Sequence, residues 1–271
     1  MLNAMTIDLE DWAQAVLGPD LPVTDCVVAN TERVLKLLDR HGVRATFFAL
    51  GRVCERFPGL LPAVASAGHE IASHGYGHEL VYELTPARFA ADVRRSIELI
   101  ESQIGRRPVG YRAPAFSITK RSLWAGPILA EMGFRFSSSI FPIRKRRYGI
   151  PDWPAVPSKW PGCELVEFPL TTLPVLGWRV PVCGGGYMRL LPARVHAAAI
   201  ARQNAAGHPA VVYLHPYELA PGEVRSFVRA GTSASWRRRF MQSLWRSRVE
   251  PRLRALLDRF AFGTISSTLR R

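Results

Sequence analysis

Short apolar runs alternate with helical segments along the chain, and this alternation limits the fold more than any other feature. The runs of strand length cover residues 4–9, 43–50, 70–73, 109–112, 133–138, 164–170 and 208–214. The segments with helical signals cover residues 30–40, 57–67, 86–104, 119–132, 192–206 and 236–260. Strands that alternate with helices at this spacing predict parallel βαβ units, so we expect an α/β protein. Two prolines, Pro127 and Pro251, are expected to break or kink the helices that contain them.

Polar side chains follow four of the predicted strands. They are Asp8, Glu10 and Asp11 after the first strand, His74 and His78 after the third, Arg112 after the fourth and His215 after the last. In α/β barrels the carboxyl ends of the strands carry the active site. Four such coincidences favour a barrel with one site at its C-terminal mouth.

The loop from Ser73 to Glu79 holds two imidazoles four residues apart, His74 and His78. This spacing alone is a weak signal, because two surface histidines can produce it. Two histidines and one carboxylate nevertheless form a common ligand set for a hydrolytic metal that keeps an open position. Strand alternation favours Glu10 as the carboxylate, whereas a kink after the strand would favour Asp11.

The net charge of +14 at pH 7 is concentrated near the C-terminus. Twelve arginines and three acidic residues lie between residues 221 and 271, and a second basic cluster covers residues 144–147. Such charge favours an anionic membrane surface or an acidic glycan as partner, although a solvated basic face explains it equally well. A basic tail without a recognisable motif does not predict specific nucleic-acid binding.

The cysteines and the N-terminus bear on the compartment. Four scattered cysteines contain no C-x-x-C pair, which argues against a structural zinc module and a disulfide scaffold. The first residues lack the pattern of a secretory signal, and no apolar run reaches 18 residues. We therefore expect a cytoplasmic protein, peripheral at the inner membrane face if the basic tail contacts lipid.

The motifs together resemble the polysaccharide deacetylase family with the NodB-homology domain, and most closely its subgroup associated with exosortase and exopolysaccharide clusters. The resemblance covers nearly the whole chain. Its motifs are the segments 6–12, 44–48, 73–78, 111–117, 184–187, 213–216 and 260–264. It implies a distorted (β/α)7–8 TIM-like barrel and metal-dependent removal of acetyl groups from an N-acetylated glycan.

The resemblance also implies residue roles. Asp8 matches the catalytic base, Arg112 the arginine that tethers the base, and His215 the catalytic acid. The backbone N–H of Ala115 matches the oxyanion donor, and His74 and His78 match the metal ligands. One divalent metal is implied; we expect zinc, with cobalt, nickel or manganese as alternatives.

Three departures from the family pattern stand out. Leu9 follows the base where a ligand aspartate is usual, so the third ligand is either Glu10 or Asp11. Gly75 occupies a position where serine or threonine is usual. No counterpart of the aspartate motif that supports the catalytic acid is recognisable, which leaves the positioning of His215 open.

The remaining expectations concern the aromatic residues, the other histidines and the domains. Candidate sugar-stacking residues are Trp12, Tyr76, Phe116 and Tyr187, and we expect structural roles for His41, His69, His196 and His208. We expect one NodB-homology deacetylase barrel over residues 1–220. A basic C-terminal helical extension over residues 221–271 is expected to pack on it.

Overall fold

The computed structural model describes residues 1–18, 21–145, 147–224 and 235–269. Eleven strands are found in these residues: β1 (Asn3–Leu9), β2 (Thr46–Ala49), β3 (Glu70–Ser73), β4 (Gly110–Tyr111), β5 (Phe136–Ser137), β6 (Ser158–Lys159), β7 (Val166–Glu167), β8 (Thr172–Val175), β9 (Trp178–Pro181), β10 (Val211–Leu214) and β11 (Phe262–Gly263). The helices are α1 (Cys26–Arg40), α2 (Gly51–Arg56), α3 (Leu60–Ser66), α4 (Pro86–Ile104), α5 (Ala125–Glu131), α6 (Gly185–Leu190), α7 (Ala193–Ala205), α8 (Trp236–Ser243), α9 (Val249–Leu257) and α10 (Ile265–Leu269).

The main sheet is parallel over seven strands in the order β10-β1-β2-β3-β4-β5-β7. The gap between β7 and β10 is bridged locally, because Val211 N–H donates to Thr171 Oγ1 and Gly184 forms a parallel bridge with Tyr213. A methyl group on Gly184 would lie 2.1 Å from the Tyr213 ring, which explains the glycine in this motif. The predicted α/β class and distorted (β/α) barrel are confirmed.

Strand alternation separates two layers of core. Phe47 packs in the large cluster between the sheet and the helices, whereas Phe48 packs in the smaller cluster inside the barrel. In β1, Met5, Ile7 and Leu9 join the outer cluster. Since successive side chains of a strand point to opposite faces, the intervening Asp8 is directed into the barrel.

Helix α4 follows its sequence signals closely. Thr85 Oγ1 accepts a hydrogen bond from Arg88 N–H, Pro86 occupies the first turn, and Gly105 ends the helix at φ 65°. An N-cap threonine, a first-turn proline and a left-handed terminal glycine are each favourable at those positions.

The expected breaks at two prolines are wrong. Pro127 and Pro251 both lie in the first turn of a helix, α5 and α9, where the missing N–H needs no intrahelical partner. The basic region 236–260 instead breaks at Trp245, which has a φ of 55°. The hairpin β8–β9 was not predicted, because its prolines obscure the strand pattern.

The C-terminal segment contacts the barrel at both faces of the sheet. Strand β11 pairs with Asn3 and Ala4 of β1, and α9 shares the outer core cluster with α7. Residues 225–234 and 270–271 of the predicted extension lie outside the described residues, and the division at residue 220 stays a prediction. Within the described ranges, no helix has the length and apolarity needed to cross a bilayer.

Candidate active site

The polar strand ends meet at one end of the barrel, as expected from the parallel sheet. Asp8, Glu10, His74, Arg112 and His215 come from four different strand ends. The carboxylates of Asp8 and Glu10 both approach His215 Nε2, at 3.8 and 3.2 Å. Residues separated by up to 207 positions therefore share one site.

A candidate metal centre is formed by Glu10, His74 and His78. Glu10 Oε2 lies 2.9 Å from His78 Nε2 and 3.4 Å from His74 Nε2, and one ligand atom from each residue lies within 4.8 Å of the others. All three side chains are buried, and Glu10 Oε2 has no hydrogen-bond partner among the described residues. A buried carboxylate oxygen facing two imidazole nitrogens fits a divalent cation.

The tautomer of His74 also fits a metal ligand. His74 Nδ1 lies 2.8 Å from the Arg112 carbonyl oxygen, so Nδ1–H donates to it and Nε2 keeps its lone pair toward Glu10. Such a second partner orients ligand histidines in metal sites generally. The donor set is two imidazole nitrogens and one carboxylate oxygen, which suits zinc and related divalent metals.

The Glu10 carboxylate is held ionised. Burial alone would raise its pKa, but the neighbouring imidazoles of His78, His215 and His74 outweigh this effect, so the Glu10 pKa falls well below its usual range. An ionised carboxylate at this position is available as a cation ligand.

Asp11 does not belong to this cluster, which corrects its inclusion among the candidate ligands. Its carboxylate accepts hydrogen bonds from the N–H and hydroxyl of Thr24, each at 3.1 Å. Burial raises the pKa of Asp11 to about 6, although the Thr24 hydrogen bonds oppose the shift. The backbone turns after β1, where Glu10 N–H donates to Asp8 O, and this turn directs only Glu10 toward the histidines.

The histidine loop is held by a residue that the sequence did not point to. Asp92 of α4 accepts hydrogen bonds from the N–H groups of Tyr76 and Gly77, each at 2.9 Å. Gly75 has a φ of 72°, and a methyl group there would lie 2.7 Å from Asp92 Oδ2. The departure from the family pattern at Gly75 thus has a steric reason. His78 has a φ of 62°, a conformation that costs free energy for a non-glycine residue and clusters at functional sites.

Asp8 is tethered by a fully buried arginine. Arg112 Nη1 donates to Asp8 Oδ1 at 2.6 Å and to Thr6 Oγ1 at 3.0 Å. Arg112 Nε and Nη2 donate to the carbonyl and hydroxyl of Ser138. The guanidinium also lies 4.1 Å from the centroid of the Phe48 ring. This geometry leaves Asp8 Oδ2 as the carboxylate oxygen that faces His215.

Glu167 holds the backbone that follows Ser138. Its Oε1 accepts hydrogen bonds from the N–H groups of Ser139 and Ile140 at 2.7 and 2.8 Å. Burial raises the pKa of Glu167 to about 7, against the effect of these hydrogen bonds. Glu167 thus fixes the backbone next to Ser138, and Ser138 accepts the hydrogen bonds that hold Arg112 against Asp8. Glu167 acts on the position of Asp8 only through these intermediate residues.

His215 has a carboxylate partner, Glu218, that the sequence analysis missed. Glu218 Oε2 lies 3.3 Å from His215 Nδ1 and accepts a hydrogen bond from His215 N–H at 3.2 Å. Burial opposes protonation of His215, but Glu10, Glu218 and Asp8 outweigh it and raise the His215 pKa to about 9. Glu218 follows His215 by three residues at the start of a helical turn, which is the spacing of a capping box. This spacing is the signal that could have identified Glu218.

Tyr217 contacts both His215 and the metal-ligand candidate Glu10. Its ring stacks on the His215 imidazole at 4.8 Å between centroids and 9° between planes, and its hydroxyl donates to Glu10 Oε1 at 3.4 Å. Arg246 of the C-terminal segment donates to the Tyr217 carbonyl oxygen at 2.8 Å. The C-terminal segment therefore braces the turn that carries His215.

The segment Pro114–Phe116 borders an open cleft. Ala115 and Phe116 have φ values of 50° and 53°, two consecutive left-handed residues. Ala115 is exposed, and no described residue accepts a hydrogen bond from its N–H. The cleft has a volume of about 1310 Å³ and reaches the site at His78 and Ala115.

The four aromatic candidates divide into two groups. Trp12 is fully buried and packs with Tyr217, so its proposed contact with a sugar is wrong. Phe116 is also buried, against Phe141 and Tyr213, which fits core packing. Tyr76 lines the cleft, and the half-buried Tyr187 has its hydroxyl 3.4 Å from that of Tyr148, another cleft residue.

Two family models match the chain. The polysaccharide deacetylase model matches residues 20–136, and a model described as a domain of unknown function, DUF3473, matches residues 138–270. A peptidoglycan deacetylase-like protein, FGM2, from Gibberella zeae is 38% identical over 110 residues, which are 40% of this chain and 32% of that protein. The chain thus spans about a third of the length of the curated relatives it matches.

Solved structures extend the similarity to nearly the whole chain. A Mycobacterium smegmatis protein assigned as a polysaccharide deacetylase has a TM-score of 0.60 and 25% identity, covering 94% of this chain and 90% of that one. Puue allantoinase has a TM-score of 0.64 at 14% identity, covering 99% and 89%. The family 4 carbohydrate esterase pseudoenzyme BA3943 from Bacillus anthracis has a TM-score of 0.52 at 14% identity, covering 99% and 65%. The last two similarities concern the fold alone.

The strand-end site and the named relatives agree with the model match, whose residues include His74, His78, Arg112 and Ala115. Residues 20–136 thus match the polysaccharide deacetylase family model, and residues 138–270 match the DUF3473 model.

Proposed function

We propose that this protein is a metal-dependent hydrolase that removes N-acetyl groups from a glycan. One observation carries the proposal: a tethered carboxylate, Asp8, and an imidazole with a carboxylate partner, His215, flank the Glu10–His74–His78 cluster. Amide hydrolysis needs a base for water, an acid for the leaving amine and stabilisation of the developing oxyanion.

Glu10, His74 and His78 would hold the cation, with zinc as the expected metal. When bound, the cation polarises an acetamido carbonyl and lowers the pKa of a water molecule. Cobalt, nickel and manganese are alternatives with the same nitrogen and oxygen donors.

Asp8 acts as the general base through Oδ2, since Arg112 holds Oδ1. Oδ2 takes a proton from the attacking water as the water oxygen bonds to the acetyl carbon. The buried Arg112 keeps the carboxylate in place through its hydrogen bond to Oδ1, so Oδ2 stays directed toward His215.

His215 acts as the general acid through Nε2. Its raised pKa keeps it protonated at neutral pH, with Nδ1 held by Glu218. Nε2 gives its proton to the sugar nitrogen as the carbon–nitrogen bond breaks, so acetate and a free amine leave. Ala115 lines the cleft and its N–H has no acceptor among the described residues, so this N–H is the proposed donor to the oxyanion.

The substrate we propose is a polysaccharide or lipid-linked saccharide precursor in exopolysaccharide biosynthesis. The open, polar cleft is large enough for several sugar units, and Tyr76 offers a ring at its wall. We propose a cytoplasmic enzyme, peripheral at the inner membrane face, because the chain carries a basic C-terminal segment that would contact anionic lipid.

Acetate release from an N-acetylglucosamine oligomer tests the proposal. Wild-type protein should release acetate in the presence of zinc, and a chelator should abolish release in a way that added metal reverses. Asp8→Asn should bind the same amount of metal but release acetate at a rate lower by roughly 10² or more. If no acetylated saccharide yields metal-dependent acetate, the proposal is wrong.

Two alternatives predict different results in the same assay. A glycan-binding pseudoenzyme would bind the oligomer without acetate release; BA3943, which shares the fold, is a pseudoenzyme. A hydrolase of a non-sugar amide would be inactive on saccharides yet release product from small amides; the fold similarity to an allantoinase makes cyclic and linear ureides the first such substrates to try.

A further inference from the structure

Two exposed apolar surfaces stand out among the described residues. The first, the hairpin surface, is the turn of β8–β9 with Leu176 and Trp178 exposed at 94% and 63%. The second, the α8 surface, is formed by Trp236, Phe240 and Met241, with Trp236 69% exposed. Clusters of exposed aromatic side chains mark interaction sites more often than they mark ordinary surface.

Both surfaces carry unpaired positive charge. Arg144 lies over the Trp178 ring at 5.6 Å, and Lys145 next to it is exposed. Arg237 is exposed on the same side of α8 as Trp236 and Phe240. In the part of the chain that the structure describes, no acidic side chain forms an ion pair with these three basic residues. Aromatic rings beside free arginines match the headgroup region of an anionic bilayer, where rings enter the interface and cations meet phosphate.

Both surfaces connect to segments that line the same cleft. Arg144 is three residues before Arg147, which lines the cleft together with Tyr148. On the other side, Gln242 of α8 accepts a hydrogen bond from Trp12 at 3.5 Å, and the segment directly after Trp12 lines the cleft from residue 14 to residue 18. Each surface is thus attached to a segment that lines the cleft.

Two arginines outside α8 anchor the C-terminal end of this helix. Arg189 donates to the carbonyl oxygens of Met241 and Gln242 at 2.9 and 2.8 Å, and the buried Arg246 donates to the Gln242 carbonyl at 2.6 Å. These hydrogen bonds satisfy the carbonyl end of the helix, so its apolar face is presented by an anchored element.

We infer that the hairpin surface and the α8 surface dock this protein onto an anionic lipid bilayer, with the cleft opening toward the membrane. The substrate is then a saccharide attached to a lipid at that surface, a step that rests on the proposed deacetylase function. The bilayer contact does not depend on the chemistry and can be measured separately.

Vesicle binding tests the docking directly. Full-length protein is sedimented with vesicles of phosphatidylcholine alone and with vesicles that contain phosphatidylglycerol. Binding should require phosphatidylglycerol and weaken as salt rises. Arg144→Ala/Arg237→Ala should lower the partition coefficient roughly 25-fold, about fivefold for each arginine. Trp236→Ala/Phe240→Ala should lower it roughly tenfold or more, because two rings lose their apolar contact.

The chain offers a charge-matched control at the other end of the barrel. Arg106 and Arg135 are exposed and precede β4 and β5, at the strand ends opposite the cleft. Arg106→Ala/Arg135→Ala removes the same charge as the test variant, and its vesicle binding should stay within about twofold of wild type. An equal loss in this control would overturn the inference, since net charge alone would then explain binding.

Three other outcomes also overturn it. Wild type could fail to bind phosphatidylglycerol vesicles at low salt. A soluble acidic polysaccharide could capture the protein in preference to vesicles, which would make an acidic glycan the partner. Sedimentation could reveal a dimer that Trp236→Ala/Phe240→Ala dissociates, which would make a second copy the occupant.

The same variants separate this inference from the proposed function. Acetate release from a water-soluble oligomer should be unchanged in the arginine and aromatic variants, because none of those residues contacts the site. Loss of vesicle binding with intact acetate release supports docking. Absence of acetate release in wild type would count against the proposed function alone.

Discussion

The candidate site has two halves that the chain builds in different ways. The metal half consists of Glu10, His74 and His78, and two of these residues come from one five-residue stretch of loop. The proton-transfer half consists of Asp8 and His215, which are separated by 207 positions and come from neighbouring strands β1 and β10. A local motif can therefore be read from the sequence, whereas the proton-transfer pair exists only because two distant strands are neighbours in the sheet.

The supporting residues differ in the same way. Asp92 and Gly75 shape the histidine loop over a short stretch of chain. The proton-transfer half depends on Arg112 and Ser138 behind Asp8 and on Glu218 and Tyr217 around His215. Each half should consequently fail in its own way when it is altered.

The largest expected difference is between His74→Ala and His215→Ala. His74→Ala should lose both bound metal and acetate release, because one of three ligands is gone. His215→Ala should keep the metal and lower the rate of acetate release by roughly 10² to 10⁴, the usual range for a general acid. Metal content after purification and acetate release, measured on the same samples, check the pair. Full metal stoichiometry in His74→Ala would contradict the assigned centre.

A second pair of variants alters residues that hold the catalytic groups in place but do not themselves bind metal or transfer protons. Glu218→Gln keeps the shape but not the charge beside His215 Nδ1, and it should lower kcat on the order of 10² with metal affinity unchanged. Asp92→Asn weakens the hydrogen bonds that hold the histidine loop, and it should lower metal affinity roughly tenfold.

Metal titration and steady-state kinetics distinguish these two variants. The division into halves would be wrong if Glu218→Gln weakened metal binding as much as Asp92→Asn does. Glu218→Asp, which keeps the charge, serves as the rescue control.

Two buried histidines outside the site should affect the stability of the fold instead of its activity. His69 and His196 each accept a backbone hydrogen bond at Nδ1, from Ala45 N–H and Cys183 N–H. Burial lowers the pKa of each imidazole to about 4 from an ordinary 6.5. The unfolded chain therefore takes up these protons first as the pH falls, so the stabilisation is complete above pH 6.5 and is lost toward pH 4.

Urea unfolding at pH 7.5 and pH 5.5 measures this effect. We expect the free energy of unfolding to fall by roughly 1 kcal/mol for each of the two histidines. His69→Gln/His196→Gln should show a smaller difference between the two pH values than wild type does. An unchanged difference would show that other groups cause the acid sensitivity.

The smallest expected effect concerns the glycine of the histidine loop. Gly75→Ala places a methyl group against Asp92 and adds the cost of a left-handed alanine, about 1–2 kcal/mol. Gly105→Ala is the matched control, because Gly105 has a similar φ of 65° but nothing within 4 Å of the added methyl. In denaturant unfolding, the free energy of unfolding should fall by about 1 kcal/mol more in Gly75→Ala than in Gly105→Ala, and only Gly75→Ala should weaken metal binding. Equal midpoints would show that Asp92 moves aside without cost.

Much of the fold was predictable because the signals were local. Apolar runs, a capping threonine and terminal glycines are interpreted within one segment, and the strands and α4 were found near their predicted places. The two prolines were misjudged because their effect depends on the helical turn in which they fall. Trp12 was misjudged because an aromatic beside acids has the same sequence pattern whether it faces a cleft or the core.

The sequence by itself determined which residue types stand at the strand ends, because β-strand alternation and parallel connections place those ends together at one mouth. It also determined the paired imidazoles of the histidine loop. The tertiary structure alone decided between Glu10 and Asp11, since a turn after β1 directs one carboxylate to the histidines and the other to Thr24. It also decided the support of His215 by Glu218 and Tyr217, because hydrogen bonds and ring stacking depend on distances that spacing along the chain does not specify.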